Sequence, residues 1–171
     1  MCIRDRPLIR PSAPADQPGI LDLILGIQRD EYGIAITAAD QPDLTDIAGF
    51  YLPGAGGFWV AEEDGRIVGT IALKDIGRGQ GALRKMFVAS SHRGRAAGVA
   101  RALLDHLLDA AADRGLAQIY LGTTARFLAA HRFYEKNGFA LVDADDLPPD
   151  FPRMAVDTRF YERKIEPAKA G

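Results

Sequence analysis

Two patterns of apolar residues alternate along this chain, one typical of α-helices and the other of β-strands. Apolar residues recur every three or four positions in four segments, which predicts helices within residues 15–33, 40–52, 99–115 and 125–138. Runs rich in apolar and β-branched residues, bounded by turn residues, predict strands within residues 7–12, 58–76, 81–90, 117–123, 139–143 and 154–165. The dipeptide Asp64-Gly65 divides the second of these runs into a hairpin.

The order of these elements indicates the fold class. Strands and helices follow one another as β-α-α-β-β-β-α-β-α-β-β, which is typical of a single α/β domain. We expect a mixed central sheet of about seven strands with helices on both faces. In the second helix, Pro42 lies near the start and Asp40 is the expected N-cap.

Composition narrows the class of protein. The 171 residues are 47% apolar and 26% charged and carry a net charge of −2, as in an ordinary soluble protein. No apolar run reaches the roughly 20 residues that span a bilayer, and the first residues lack the apolar segment of a signal peptide. We expect a cytoplasmic protein that binds neither nucleic acid nor membrane. Residues 1–4 are expected to be a disordered tail and residues 167–171 a C-terminal tail, around a domain of residues 5–166.

Residue types that bind metals are sparse. Cys2 is the only cysteine, which excludes an intramolecular disulfide and a cysteine-rich zinc site. The histidines His92, His106 and His131 show no metal-ligand spacing, so we assign no metal. We expect His106 and His131 to lie at the surface.

A cationic segment precedes the third helix. Residues 76–104 contain no Asp or Glu but six basic residues, namely Arg78, Arg84, Lys85, Arg93, Arg95 and Arg101. Just before the helix come Ala96, Ala97 and Gly98, which leave the backbone nearly bare. Free N–H groups and the positive end of the dipole at a helix N-terminus bind phosphate. The segment therefore predicts an anion site, although close packing of helix on strand would also favour small residues here.

Two motifs of the chain, one just before the third helix and one in the fourth, resemble those of the GNAT superfamily of N-acetyltransferases. Residues 95–100, "RAAGVA", fit the signature [Q/R]-x-x-G-x-[G/A], between a strand and an amphipathic helix. Residues 129–139, "AAHRFYEKNGF", resemble the second signature, A-x-x-[FL]-Y-x-x-x-G-F. The ending "LPPDFPRMAVDTRFYERKI" resembles the closing hairpin of bacterial members, so the resemblance covers about residues 5–166.

The resemblance implies acetyl-coenzyme A as the acyl donor. Its pyrophosphate would bind the loop that consists of Arg93, Gly94, Arg95, Ala96, Ala97, Gly98, Val99 and Ala100. In the family the strand before this loop splays from its neighbour, and its backbone pairs with the pantetheine arm. Met86, Phe87 and Val88 hold those positions here. Phe127 stands where relatives often have Asn, and we expect it to stack against the pantetheine.

The resemblance also places Tyr134 as the general acid that protonates the departing thiolate. The family's frequent general base is missing, because Ala82 stands where many relatives have Glu. We consider Glu62, Glu63, Asp157 and Tyr161 as substitutes. Without a base the reaction favours an amine that loses its proton easily, such as an α-amino group with a pKa near 8.

The expected function is transfer of an acetyl group to a primary amine by direct attack. The acceptor is expected to be a small-molecule or peptide amine, and the aromatic residues Phe50, Tyr51, Trp59, Phe160 and Tyr161 indicate that it is partly apolar. The alternative is a non-catalytic domain that binds acetyl-coenzyme A as a sensor or partner module. The oligomeric state stays open, with a homodimer among the options.

Overall fold

A computed structural model describes residues 7–31, 33, 37, 39, 41–89, 98–123, 128–148, 151 and 159–165, with the backbone alone at 128–130. The strands are β1 Leu8–Pro11, β2 Gly57–Glu63, β3 Arg66–Gly77, β4 Gln80–Val88, β5 Gln118–Thr123, β6 Ala140–Val142 and β7 Arg159–Lys164. The α-helices are α1 Gln17–Gly26, α2 Pro42–Thr45, α3 Ile47–Phe50, α4 Val99–Asp113 and α5 Leu128–Lys136. The order of the elements agrees with the predicted order except that the second predicted helix is divided into α2 and α3.

The seven strands form one mixed sheet, as predicted. Their order is β1-β2-β3-β4-β5-β7-β6. Within the described residues β4 and β5 are the one parallel pair, and all other neighbours are antiparallel. The turn between β2 and β3 is formed by Asp64 and Gly65, which both have positive φ, as expected for the predicted hairpin.

Each face of the sheet is covered by an amphipathic layer. On one face α4 buries its apolar side, which consists of Val99, Leu103, Leu104, Leu107 and Ala111. On the other face Ile20 and Ile24 of α1 pack with Tyr51 against Phe58 and Val60 of β2. The two faces are called the α4 face and the α1 face below. Burial of both stripes against one sheet explains why the helices flank it.

The region of the second predicted helix differs from the prediction. It forms two helices of four residues each, because the backbone of Asp46 leaves the helical region at φ −142°. Gln41 rather than Asp40 is the N-cap of α2, and its side chain makes no capping bond; Asp40 itself lies outside the described residues. The Asp46 carboxylate instead caps α3 by accepting from the Gly49 N–H at 3.1 Å. The first helix continues as a π-helical turn, Ile27–Glu31.

Strand β4 carries a β-bulge at Lys85. Thr70 pairs with Phe87 and Ala72 pairs with Arg84, so that Lys85 and Met86 together oppose the single residue between them on β3. Lys85 has a φ of 54°, in the left-handed region that residues with a side chain rarely adopt. A bulge of this kind bends the strand and increases its twist.

None of the helices in the described part of the chain is both long enough and apolar enough to cross a membrane.

Candidate functional site

Strands β4 and β5 separate in the middle of the sheet. Their parallel pairing runs from Gln80 opposite Gln118 to Ala82 opposite Tyr120, and the described register contains no later pair. Beyond this point β4 stays on β3 as far as Val88, while β5 stays on β7 as far as Thr123. The two central strands therefore open into a V whose apex lies at Ala82 and Tyr120. The bulge at Lys85 follows directly on the β4 arm of this V.

The predicted donor-binding residues of β4 lie along that arm. Met86 and Val88 pack into the core on the α4 face, whereas Phe87 packs into the core on the α1 face. Strand geometry turns the backbone N–H and C=O groups of alternate residues toward the gap. An extended chain inserted into the V would therefore meet backbone donors and acceptors rather than side chains alone.

Helix α4 begins at the open end of the V. Gly98 precedes it with a φ of 65°, and no side chain caps the helix. A Cβ built on Gly98 would meet nothing within 4 Å, so its conformation rather than close packing requires glycine. Val99 is buried and Ala100 is half-buried. The other predicted anion-binding residues, Arg93, Gly94, Arg95, Ala96 and Ala97, lie outside the described residues, as does Phe127.

Tyr134 on α5 lies in the same core as Val88. Its side chain is 6% exposed, and its ring makes edge contacts with Phe133 and Phe139, each at 5.6 Å between centroids. Gly138, with a φ of 89°, ends the helix and lets the Phe139 N–H bond the Tyr134 carbonyl at 3.0 Å. The second signature motif thus fixes the tyrosine ring by its own local packing.

Ala82 at the apex is fully buried. It packs with Ile76, Tyr120 and Phe151 on the α1 face. A carboxylate at this position would lose its hydration in an apolar cluster. Burial, followed by the neighbouring Glu162 carboxylate, raises the pKa of Tyr120, so its hydroxyl stays protonated and does not replace the missing base.

The substitutes considered for the base are engaged elsewhere or lie outside the described residues. Glu62 accepts from Arg10 Nη2 at 2.6 Å. The Tyr161 hydroxyl donates to Glu135 Oε2 at 2.7 Å, and burial followed by this bond raises its pKa. Glu63 lies at the end of β2 beside the hairpin turn, and Asp157 is outside the described residues. Neither Glu62 nor Glu63, the two described carboxylates among these candidates, therefore lies at the apex.

A buried polar cluster on the α1 face was not foreseen from the sequence. We call it the Asp43 cluster, and it consists of Gln28, Gln41, Asp43, Tyr51, Arg84 and Lys85. Lys85 Nζ donates to Gln41 Oε1 at 2.8 Å and lies 3.6 Å from Asp43 Oδ2. The Tyr51 hydroxyl donates to the same carboxylate, and burial raises its pKa so that it stays a donor. The sequence feature that could have indicated this cluster is the pair of cationic residues Arg84 and Lys85 within the otherwise mostly apolar strand β4.

The five aromatic residues expected to line the acceptor site do not form one wall. Phe50 and Tyr51 lie on the α1 face, with ring centroids 4.7 Å apart. Trp59 packs into the core on the α4 face, beside the Arg114 guanidinium at 5.6 Å. Tyr161 belongs to that same core, whereas Phe160 contacts Phe151. Successive side chains of a strand point to opposite faces of the sheet, which separates these aromatic residues. Their residue types alone did not indicate on which face each one lies.

The two described histidines differ from each other. His106 is exposed on α4, as predicted. His131 is buried at 3% exposure, so the prediction of a surface position was wrong; its ring lies 6.1 Å from that of Tyr161. The described residues contain no group of three or more His, Cys, Asp or Glu side chains that could hold a metal ion.

A surface cavity of about 670 Å³ lies at the other end of the sheet, where β2 begins. The polar side chains that line it hydrogen-bond to the backbone of the loop that precedes β2. Arg114 Nη1 donates to the Gly56 carbonyl at 2.6 Å, and Asp75 Oδ2 accepts from the Ala55 N–H at 2.9 Å. Because it lies away from the V and from Tyr134, we do not treat it as the reaction site.

Comparison with known proteins agrees with this geometry. The model of the "Acetyltransferase (GNAT) family" matches residues 21–139. A Staphylococcus aureus Mu50 acetyltransferase of the GNAT family has a solved structure that is similar with a TM-score of 0.88 and 37% identity. The alignment covers 93% of this chain and 99% of the bacterial one.

Two curated relatives are similar over part of their length. The mouse protein named probable N-acetyltransferase family 8 member 5 is 39% identical over 104 residues, which are 58% of this chain and 45% of the mouse protein. N-acetylaspartate synthetase from Xenopus tropicalis is 38% identical over 131 residues, which are 74% of this chain and 48% of that protein. The chain thus spans about half the length of these relatives.

Proposed function

Because this chain belongs to the acetyltransferase (GNAT) family, we propose that it transfers the acetyl group of acetyl-coenzyme A to the amine of a small molecule or peptide. The observation that carries the proposal is the V between β4 and β5, which opens beside Tyr134 and the start of α4. In the proposed complex it would receive an extended acyl-carrier arm, the N-terminus of α4 would bind the phosphates, and the Tyr134 phenol would lie near the reactive end.

The donor would lie along β4. The backbone of Met86, Phe87 and Val88 would pair with the pantetheine arm as an added strand does, and Phe127 would stack against it. The pyrophosphate would bind the loop of residues 93–100, where the αL conformation of Gly98 turns the chain into α4. A backbone N–H in β4 would polarise the acetyl carbonyl.

In the proposed reaction the neutral amine attacks the thioester carbonyl and forms the new C–N bond. The tetrahedral intermediate then collapses by breaking the C–S bond, and Tyr134 gives its proton to the departing thiolate. The amine nitrogen then loses its proton to solvent, because the Ala82 side chain cannot accept it. An amine of low pKa suits this scheme, and the similarity to N-acetylaspartate synthetase supports the α-amine of an amino acid.

A second candidate function is supported by Ala82 alone. A domain without a base at the apex could bind acetyl-coenzyme A and signal its presence without turnover. The test is to titrate the protein with acetyl-coenzyme A and then to follow release of the coenzyme A thiol across a panel of amines and amino acids. Amine-dependent thiol release supports the enzyme. Saturable binding with no release above the rate of the donor alone supports the sensor.

A further inference from the structure

The bulge at Lys85 changes the face of the sheet on which the following β4 side chains lie. Before the bulge, Ala82 packs on the α1 face and Leu83 belongs to the core on the α4 face, as alternation along a strand requires. After the bulge, Met86 packs into the α4-face core and Phe87 into the α1-face core. A regular strand that continued from Leu83 would place these last two side chains on the opposite faces. The extra residue of the bulge therefore reverses the alternation.

The same reversal decides which backbone groups of β4 face the V. The Ala89 N–H donates to the Val68 carbonyl at 2.8 Å, in the register that continues through Phe87. In an antiparallel pair, residues whose backbone groups point at the partner strand alternate with residues whose groups point away from it. Phe87 therefore directs its N–H and C=O at β3, whereas Met86 and Val88 direct theirs at the V. Without the bulge this assignment would be inverted.

The Lys85 side chain is anchored on the α1 face, where it favours the bulged strand. Its Nζ donates to Gln41 Oε1 at 2.8 Å and lies 3.6 Å from Asp43 Oδ2, and the side chain is only 4% exposed. A buried ammonium is stable only where it is paired and hydrogen-bonded, as it is here by α2 and its N-cap. In a regular strand Lys85 would point to the α4 face, into the core that contains Val88. The charge on Lys85 therefore selects the bulged register.

The groups that anchor Lys85 are themselves held by other side chains of the Asp43 cluster. Gln41 and Gln28 bond each other through two amide contacts of 3.0 and 3.1 Å. The Tyr51 hydroxyl donates to the Asp43 carboxylate, and Tyr51 is fully buried. An anchor that is fixed in this way can hold a strand in a backbone conformation that is unfavourable by itself.

We propose that Lys85 is a positioning residue for the acyl donor. Its anchored ammonium keeps β4 in the bulged register, in which the backbone of Met86 and Val88 faces the pantetheine arm. The inference rests on the proposed function, since the arm is that of acetyl-coenzyme A. In this role Lys85 acts through the backbone that follows it rather than by contact with the donor.

The test is Lys85→Met, which keeps a long side chain and removes the charge. We expect KM and Kd for acetyl-coenzyme A to rise about 10-fold, as for the loss of one or two backbone hydrogen bonds to the arm. KM for the amine that the unmodified protein uses best should change by less than about twofold, because that amine does not bind along β4. Lys85→Arg should recover part of the donor affinity, since it retains the charge and the N–H donors. A merely structural role would lower kcat through the folded fraction and leave KM for the donor unchanged.

The control is Lys74→Met, which removes a lysine of the neighbouring strand β3 whose Nζ donates to the Phe50 carbonyl at 3.2 Å. This variant should keep the KM for acetyl-coenzyme A. Should Lys85→Met not fold, the double variant that also carries Asp43→Asn takes its place under the same criteria, because it removes both charges of the buried pair.

The inference is overturned if KM and Kd for acetyl-coenzyme A stay unchanged, or if KM for the donor and for the amine rise alike. Either result leaves the proposed function standing. Absence of turnover by the unmodified protein with every amine would instead overturn the proposed function, and the inference with it.

Discussion

The Thr70 hydroxyl donates to the Lys85 carbonyl at 2.7 Å, across the two strands and at the centre of the β4 bulge. Both residues are buried, and Lys85 is held at a φ of 54°. The side chain of β3 thereby stabilises a backbone conformation that is unfavourable by itself. Because the bulge follows the point where β4 leaves β5, this bond supports the opening proposed to receive the donor.

Thr70→Val removes the hydroxyl at nearly constant volume. The Lys85 carbonyl would lose a buried donor, so we expect the free energy of unfolding to fall by about 1–3 kcal/mol. We also expect weaker binding of acetyl-coenzyme A. Urea denaturation and calorimetric titration measure the two effects. The control is Thr45→Val, whose exposed hydroxyl bonds the Pro42 carbonyl at 3.2 Å and whose loss should change neither quantity. Unchanged stability in Thr70→Val would contradict this role.

Gly98→Ala tests the start of α4. The methyl group meets no neighbour, but alanine is disfavoured at a φ of 65°, so we expect a loss of about 1 kcal/mol in stability and weaker binding of acetyl-coenzyme A. Gly26→Ala is the matched control, because it lies at the end of α1 and likewise has nothing within 4 Å. That variant should bind the donor normally. Equal donor affinity in both variants would argue against the anion site at Gly98.

Tyr134→Phe tests the proposed acid. Its ring contacts with Phe133 and Phe139 do not use the hydroxyl, so we expect the fold and the Kd for acetyl-coenzyme A to be retained. We expect kcat to fall by about 10²–10⁴-fold, the usual contribution of a general acid. Tyr161→Phe serves for comparison, since its hydroxyl donates to Glu135 and it should retain kcat. A Tyr134→Phe enzyme with full kcat would show that the thiolate leaves without this proton.

The pair Arg10–Asp16 gives stability a pH dependence. Hydrogen bonds from Arg10 lower the pKa of Asp16 below its ordinary 3.8, so the pair stabilises the fold above that pH, and the contribution is lost as the pH falls through the lowered pKa. Asp16→Asn should therefore cost up to about 1 kcal/mol near neutral pH and progressively less in acid. Asp105→Asn, in an exposed pair with Arg101, should cost little at any pH. The measurement is the free energy of unfolding of each variant, obtained by urea denaturation at pH values from 7 down to about 3. A cost of Asp16→Asn that does not shrink in acid would contradict this role of the pair.

The sequence was sufficient to predict features that depend on local periodicity. The buried side of α4 includes Leu103, Leu104 and Leu107, which repeat at helical spacing and could be assigned without knowing what they contact. The turn at Asp64-Gly65 was predictable for a similar reason, since its chemistry lies within two residues. Both depend on neighbours in the chain, and both were confirmed.

The Asp43 cluster could not be predicted in this way. Gln28, Gln41 and Lys85 are separated by 13 and 44 residues along the chain, and only the packed sheet brings them together. His131 was predicted to lie at the surface, but it is buried and its ring lies 6.1 Å from that of Tyr161. Burial of a polar side chain depends on long-range partners, for which a single sequence carries no periodic signal.

The most direct test of the central claim is a single-turnover reaction with acetyl-coenzyme A and an amino acid as acceptor. Coenzyme A thiol and acetylated product are quantified from the same samples over time. We predict that the two accumulate in equal amounts, with the acetyl group on nitrogen, and that Tyr134→Phe slows both equally. Saturating donor binding without any acetylated amine, across acids, carboxamides and simple amines, would contradict the assignment of this protein as an acetyltransferase.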